Sequence, residues 1–130
     1  MPFDWREFLL VAHALRNQSG EGFQRTCLGR GYYFVYNLGL IRARSMNFSG
    51  QIPGLHRKLW NWCQMHTDPL IRQMGVDGLR MHSLRISADY DGASIPNLAR
   101  EVKTQLSKAE AFERLTAQVN GQAPPVRLGP

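Results

Sequence analysis

The stretch Pro96-Asn97-Leu98-Ala99-Arg100-Glu101-Val102-Lys103-Thr104-Gln105-Leu106-Ser107-Lys108-Ala109-Glu110-Ala111-Phe112-Glu113-Arg114-Leu115-Thr116-Ala117-Gln118-Val119 places Leu98, Val102, Leu106, Ala109, Phe112, Leu115 and Val119 three or four positions apart. That spacing returns each apolar side chain to one face of a helix, so a long amphipathic helix beginning near Pro96 is expected. Nowhere does the chain alternate apolar and polar residues in the period of a strand for more than a few positions. The expected fold class is therefore all-α, an antiparallel helical bundle of about five helices.

Working back along the chain, Asp68-Pro69 is a strong helix start, with Asp at the N-cap and Pro at the first helical position, where its missing N–H costs nothing. This helix should reach Tyr90 and stop at Asp91-Gly92. Before it come a shorter amphipathic segment, Leu55 to about Met65, and a loop from Asn47 to Gly54 containing Gly50, Pro53 and Gly54. A long helix is expected from about Phe23 to Ser45, with Leu28, Tyr32, Val35, Leu38 and Ile41 on a broad buried face. Gly29, Gly31 and Gly39 inside it each cost roughly 1 kcal/mol against Ala, which predicts close packing on a neighbouring helix. The first helix has Asp4 and Glu7 at capping-box spacing, and Phe3 is placed to staple against Phe8. Its apolar positions Phe8, Leu9, Ala12 and Leu15 keep the helical period, and Asn17-Gln18-Ser19-Gly20 ends it. A single bundle over 1–120 and a disordered Pro- and Gly-rich tail over 121–130 are expected.

No apolar run approaches the roughly 20 residues that span a bilayer. Acidic Asp4 and Glu7 stand where a secretory leader would be basic and then apolar, which predicts a cytoplasmic protein with no membrane contact. Cys27 and Cys63 lack a CxxC spacing and read as buried free thiols. Cys63-Gln64-Met65-His66, even with His56, Cys27 or His82, lacks a second matching ligand pair, so no metal and no other cofactor is expected. Trp60 and Trp62 should face different sides of their segment, one in the core and one free to anchor an interface. The formal net charge of +6 favours a polyanionic partner such as RNA or DNA, because bound cations release phosphate counterions. The same charge also suits solubility or an acidic protein partner.

Polar chemistry concentrates in two runs. Arg25-Thr26-Cys27-Leu28-Gly29-Arg30-Gly31-Tyr32-Tyr33-Phe34-Val35-Tyr36 carries two arginines and then a Tyr-Tyr pair; Met81-His82-Ser83-Leu84-Arg85-Ile86-Ser87-Ala88-Asp89-Tyr90-Asp91 gathers an imidazole, a guanidinium, acids and a phenol near a helix end. Arg25 and Arg30 lie too far round the helix to share one direction. Tyr32, Tyr33 and Tyr36 suit core or interface positions before a base-stacking platform. Arg42 and Arg44 complement the dipole at the end of their helix.

The segments Arg30-Gly31-Tyr32-Tyr33 and Arg85-Ile86-Ser87-Ala88-Asp89-Tyr90 resemble the HEPN superfamily, in the branch with an Arg-x-x-Ala-Asp-Tyr ending. His56, opening the segment between the two helices, also falls where such families commonly place a histidine, and the likeness spans roughly Phe8 to Phe112. The resemblance implies a helical bundle acting as a homodimer in a prokaryotic defence or toxin–antitoxin system, directed at RNA, one form of which is a metal-independent ribonuclease. It also implies a protein partner such as a nucleotidyltransferase. Members that cut RNA follow the Arg with a His four to six residues on. Here Tyr90 stands in that window and no His follows Arg85.

Arg85, His82 and Tyr90 are accordingly the candidate catalytic residues, and Arg30, Arg80 and Arg85 the candidate RNA-binding ones. His82 lies three positions before Arg85, on the same helical face, within reach of one phosphate. Tyrosine, with a reference pKa near 10, is a poor base at neutral pH. A structural reading stands beside the functional one: Arg85 pairs with Asp89 at i,i+4, Tyr90 closes the bundle, and Tyr32, Tyr33 and Asp89 serve packing or an interface. Two further functions are consistent with the sequence, a non-catalytic dimerising module that docks a partner and an RNA-coating subunit of a ribonucleoprotein.

Overall fold

The computed structural model describes residues 2–121, with side chains to Val119. Five helices form an all-helical bundle: α1 (Arg6–Arg16), α2 (Glu21–Ser45), α3 (Leu55–Gln64), α4 (Pro69–Tyr90) and α5 (Leu98–Gly121). No strand occurs among the described residues. Gly121 closes α5, and 122–130 of the expected tail lie outside the described residues. No described helix is long and apolar enough to cross a membrane. α2 is central, packing against α1, α4 and α5, while α3 lies on α4.

The local signals act where the chemistry places them. At the start of α1 the Asp4 carboxylate accepts the Arg6 N–H at 3.0 Å, and Phe3 meets Phe8 edge-on with ring centroids 5.5 Å apart. The expected capping box with Asp4 as N-cap does not form: Trp5 is the N-cap, without a side-chain cap bond, and Asp4 lies one residue before it. The α4 cap is as expected: Asp68 Oδ1 accepts the Leu70 N–H at 2.9 Å and Pro69 is the first helical residue. α5 starts at Leu98, two residues after Pro96, and Val102, Leu106, Ala109, Phe112 and Val119 are buried. Of the expected α2 face, Leu28, Tyr32 and Val35 are buried and Leu38 is partly so, but Ile41 is exposed because it lies on the side of α2 opposite buried Gly39 and Ala43.

The core is organised around Trp60 of α3, which is fully buried. Its ring meets Phe112 of α5 edge-on at 6.0 Å, and a Cβ on Gly39 of α2 would come within 2.9 Å of Trp60 Cη2. The α3–α4 crossing is tighter still. A Cβ on Gly78 would fall 2.4 Å from the indole, and one on Gly75 would fall 2.8 Å from the Trp60 carbonyl and the Gln64 backbone nitrogen. Of the α2 glycines expected to sit at a close crossing, Gly39 does; a Cβ at Gly31 would meet only the end of the Leu106 side chain at 3.4 Å, and one at Gly29 would have ordinary room. Trp62 lies on the other side of α3, half-buried against Phe48 and His66.

This packing reverses the usual sign of a Gly→Ala change. Gly75→Ala should destabilise by about 1–3 kcal/mol, because the obstructing atoms are backbone and one helix must move. Gly22→Ala, with open space around it, should stabilise by about 0.5 kcal/mol through helix propensity. Urea denaturation of the two variants checks the opposite signs.

Candidate functional site

The α2–α3–α4 face is built from the inside outward. Trp60 Nε1–H donates to the Tyr32 hydroxyl at 3.1 Å, and that oxygen lies 2.6 Å from His56 Nδ1. Tyr32 is fully buried, and burial above all raises its pKa, so it stays a phenol. Its oxygen accepts from Trp60, and its proton goes to His56 Nδ1. His56 is thereby neutral, with its own proton on Nε2. Burial, with nearby His82 and Arg85 next, pushes the His56 pKa down to about 4, in agreement with a neutral ring.

On this chain of bonds rests a near-parallel stack. The rings of Tyr36 and His56 are 3.9 Å apart at 15°, and those of His56 and His82 are 5.0 Å apart at 10°. His82 is only 9% exposed, and no described group hydrogen-bonds its ring nitrogens. Its pKa is lowered as well, by burial first and then by Arg85 and Arg57. Two neutral imidazoles therefore lie side by side among guanidinium groups.

Around the stack the expected residues converge unevenly. Arg85 Nη2 donates to the Tyr33 hydroxyl, and the guanidinium lies over the Tyr33 ring, 4.9 Å from its centroid. Arg85 Nε is 3.0 Å from Asp89 Oδ2, the i,i+4 pairing that the spacing predicts, yet its N–H points off that line and stays without a hydrogen bond. Arg30 lies between the Phe8 and Tyr33 rings, at 4.6 and 5.4 Å. Arg30, Tyr33, Arg85 and Asp89 thus form one surface cluster beside the imidazoles. Arg80 does not join it: two positions before His82, it lies about 200° round α4 and is exposed. Tyr90 does not close the bundle. It is 75% exposed at the last residue of α4, its ring 5.7 Å from the Arg85 guanidinium.

Arg25 takes a different role from Arg30. Its guanidinium donates to the carbonyls of Ser87, Ala88, Asp91 and Ala93, at 2.6 to 3.2 Å, and so ties off the C-terminus of α4. A cation there satisfies orphan carbonyls and opposes the negative end of the helix dipole. This clamp fixes the turn of α4 that carries Arg85 and Asp89.

Tyr36, at the end of the first polar run, extends the stack, and two contributors lie outside both runs: Arg44 and Arg57, whose charges are felt at Tyr36 and His82. The signal for them is an absence of acids. From Glu21 to Asp68 the chain has six cationic residues, Arg25, Arg30, Arg42, Arg44, Arg57 and Lys58, and not one Asp or Glu between. Near the same end of α2, Arg44 donates to the Gly50 carbonyl, and Lys58 of α3 donates to that of Gln51.

The cysteines stay apart from this face. Cys27 donates to the Ala12 carbonyl inside the core, and burial pushes the Cys63 thiol up to about 12, far from a reactive or metal-binding thiolate. His66 is held by the Asp68 N–H on its Nδ1. Among the described residues no three His, Cys, Asp or Glu side chains group as metal ligands would.

No protein-family model matches the chain, and no curated protein or solved structure shows significant similarity to it.

The neutral imidazole pair has a pH consequence. A histidine whose pKa is lowered on folding contributes stability above its unfolded value of 6.5 that is lost as pH falls towards the folded value, about 4 for His56. In that window the unfolded chain binds more protons than the folded one. Thermal melts should therefore show stability falling from about pH 6.5 to about pH 4, with a shallower fall in His56→Gln.

Proposed function

We propose that this chain is an RNA-directed, HEPN-like component of a prokaryotic defence or toxin–antitoxin system, and that it acts as a homodimer by binding RNA phosphates along the α2–α3–α4 face. The observation that carries this reading is the cluster of Arg30 and Arg85 over the Tyr33 ring beside the Tyr36–His56–His82 stack, with Arg44 and Arg57 adding positive charge in a stretch of α2 and α3 without a single acid. Cations hold the backbone and release counterions.

The same geometry favours binding over cutting. Metal-independent cleavage needs one group to take the proton of the attacking 2′-hydroxyl and another to give one to the leaving oxygen. Both imidazoles are neutral at pH 7, which suits a base but leaves no ready acid. Arg85, the natural phosphate clamp, is already engaged by Tyr33 and Asp89. Tyr90 is exposed at the last residue of α4, with no described hydrogen-bond partner.

The docking of a protein partner such as a nucleotidyltransferase has its own support. Val76, Ile86 and Tyr90 are 51%, 40% and 75% exposed on α4, apolar surface that a partner would cover.

The test is fluorescence anisotropy with single-stranded RNA across a salt series. Affinity should fall steeply from low to moderate salt, and Arg44→Ala with Arg57→Ala should flatten the slope by about 0.7 for each phosphate that is no longer neutralised. The RNA should remain intact. A wild-type protein with no salt-sensitive affinity ends the RNA reading, and cutting that His82→Ala abolishes replaces binding with catalysis.

A further inference from the structure

Five side chains from three helices touch in an alternating order of ring and cation: Phe8, Arg30, Tyr33, Arg85 and Tyr90. Arg30 lies 4.6 Å from the Phe8 centroid and 5.4 Å from that of Tyr33; Arg85 lies 4.9 Å from Tyr33 and 5.7 Å from Tyr90. The order begins against the bundle, where Phe8 also meets the Trp5 ring at 5.3 Å, and ends in solvent. Tyr90, its last member, is the most exposed of the described aromatic side chains, at 75%. Among the described residues only Arg85 lies over its ring. One face of the phenol is held by a cation, and the other is open.

The open face has a definite chemistry. Arg85 is itself fixed by the Tyr33 hydroxyl and the Asp89 carboxylate, so the ring it holds is positioned before anything binds. Ile86, one turn earlier and 40% exposed, borders it. A second cation is a poor occupant, because Arg85 already lies under the ring. A phosphate is a poor one too: exposed Asp89 and Asp91 flank Tyr90 in the chain, and the negative end of the α4 dipole lies there. The group that suits this face is neutral, planar and polarisable. A nucleobase meets that description, and the neighbouring arginines supply the cations for the phosphates on either side of it.

We infer that Tyr90 is a stacking platform for one unpaired base of the RNA, and that it makes this face selective for single strands. Inside a duplex both faces of a base are covered by its neighbours, so only a base splayed out of its strand reaches the ring. The inference rests on the RNA reading above and adds a selectivity that phosphate contacts lack, since single strands and duplexes both carry phosphates. The ring is what acts. The hydroxyl takes no part, in contrast to a proton-transfer role for Tyr90.

The experiment uses a short uridine-rich RNA with one 2-aminopurine, alone and paired with its complement. It is bound to the wild-type protein, to Tyr90→Ala and to Tyr90→Phe. Anisotropy should show the single strand bound about tenfold more weakly by Tyr90→Ala, with an unchanged slope against salt because no charge is lost. Tyr90→Phe should retain both the affinity and the quenching of 2-aminopurine that stacking on a ring produces. The duplex should bind all three proteins alike. Tyrosine ring signals in NMR provide a second readout, with those of Tyr90 identified by their loss in Tyr90→Phe. Adenosine monophosphate should move them upfield.

The platform is overturned if Tyr90→Ala binds the single strand as tightly as wild type, if Tyr90→Phe loses as much affinity as Tyr90→Ala, or if the duplex shows an equal loss. Each of these leaves the ring to a protein partner and the salt-sensitive backbone reading standing. No affinity of the wild type for any strand overturns the backbone reading. In that case the platform stands if adenosine monophosphate moves the Tyr90 signals, and falls if it does not.

Discussion

Everything on the α2–α3–α4 face depends on how the Trp60 indole is seated. The ring is large, fully buried, and reached by α2, α4 and α5 together, through Gly39, Gly78 and Phe112. Glycine at 39, 75 and 78 is what allows the helices to approach that closely, and full burial of such a ring is worth several kcal/mol, about 3–5 on truncation to Ala. The indole also has one polar atom that cannot be left unpaired. Its N–H must find an acceptor inside the core, and the Tyr32 hydroxyl is that acceptor.

From that single bond the electrostatics of the surface follow. Tyr32, obliged to accept from Trp60, passes its own proton to His56, and His56 is fixed as a neutral ring stacked between Tyr36 and His82. Neutral rings among guanidinium groups cost less than charged ones would. Arg25 completes the arrangement from the other side by holding the last carbonyls of α4, so that the turn bearing Arg85 and Asp89 cannot fray. The site is thus positioned by core packing on one side and by a helix-end clamp on the other.

The parts of this that the sequence discloses are the parts governed by local rules. Asp68-Pro69 and Asp91-Gly92 bound α4 because capping involves only neighbouring residues, and the three-four spacing defines α5 because periodicity needs no partner. The Arg85–Asp89 pair is legible for the same reason. The Trp60 seat is not: Gly75 and Gly78 look like defects in a helix until the ring that fills the space is known. Nor is the His56–His82 stack, since the two rings belong to different helices whose register is set by that seat. Arg25 misleads by direction, because its long side chain reaches a neighbouring helix end that helical angles on α2 do not indicate. Arg44 and Arg57 are legible only through what is missing, the acids between Glu21 and Asp68 that would otherwise pair with them.

The whole site turns on the Trp60–Tyr32–His56 chain of hydrogen bonds holding His56 neutral with its proton on Nε2. Nitrogen-detected NMR of the histidine side chains, followed through a pH titration, measures both properties at once. A protonated Nε2, a bare Nδ1 and a pKa of about 4 are expected for His56. A His56 that titrates at its ordinary value of 6.5, or carries its proton on Nδ1, would contradict this arrangement.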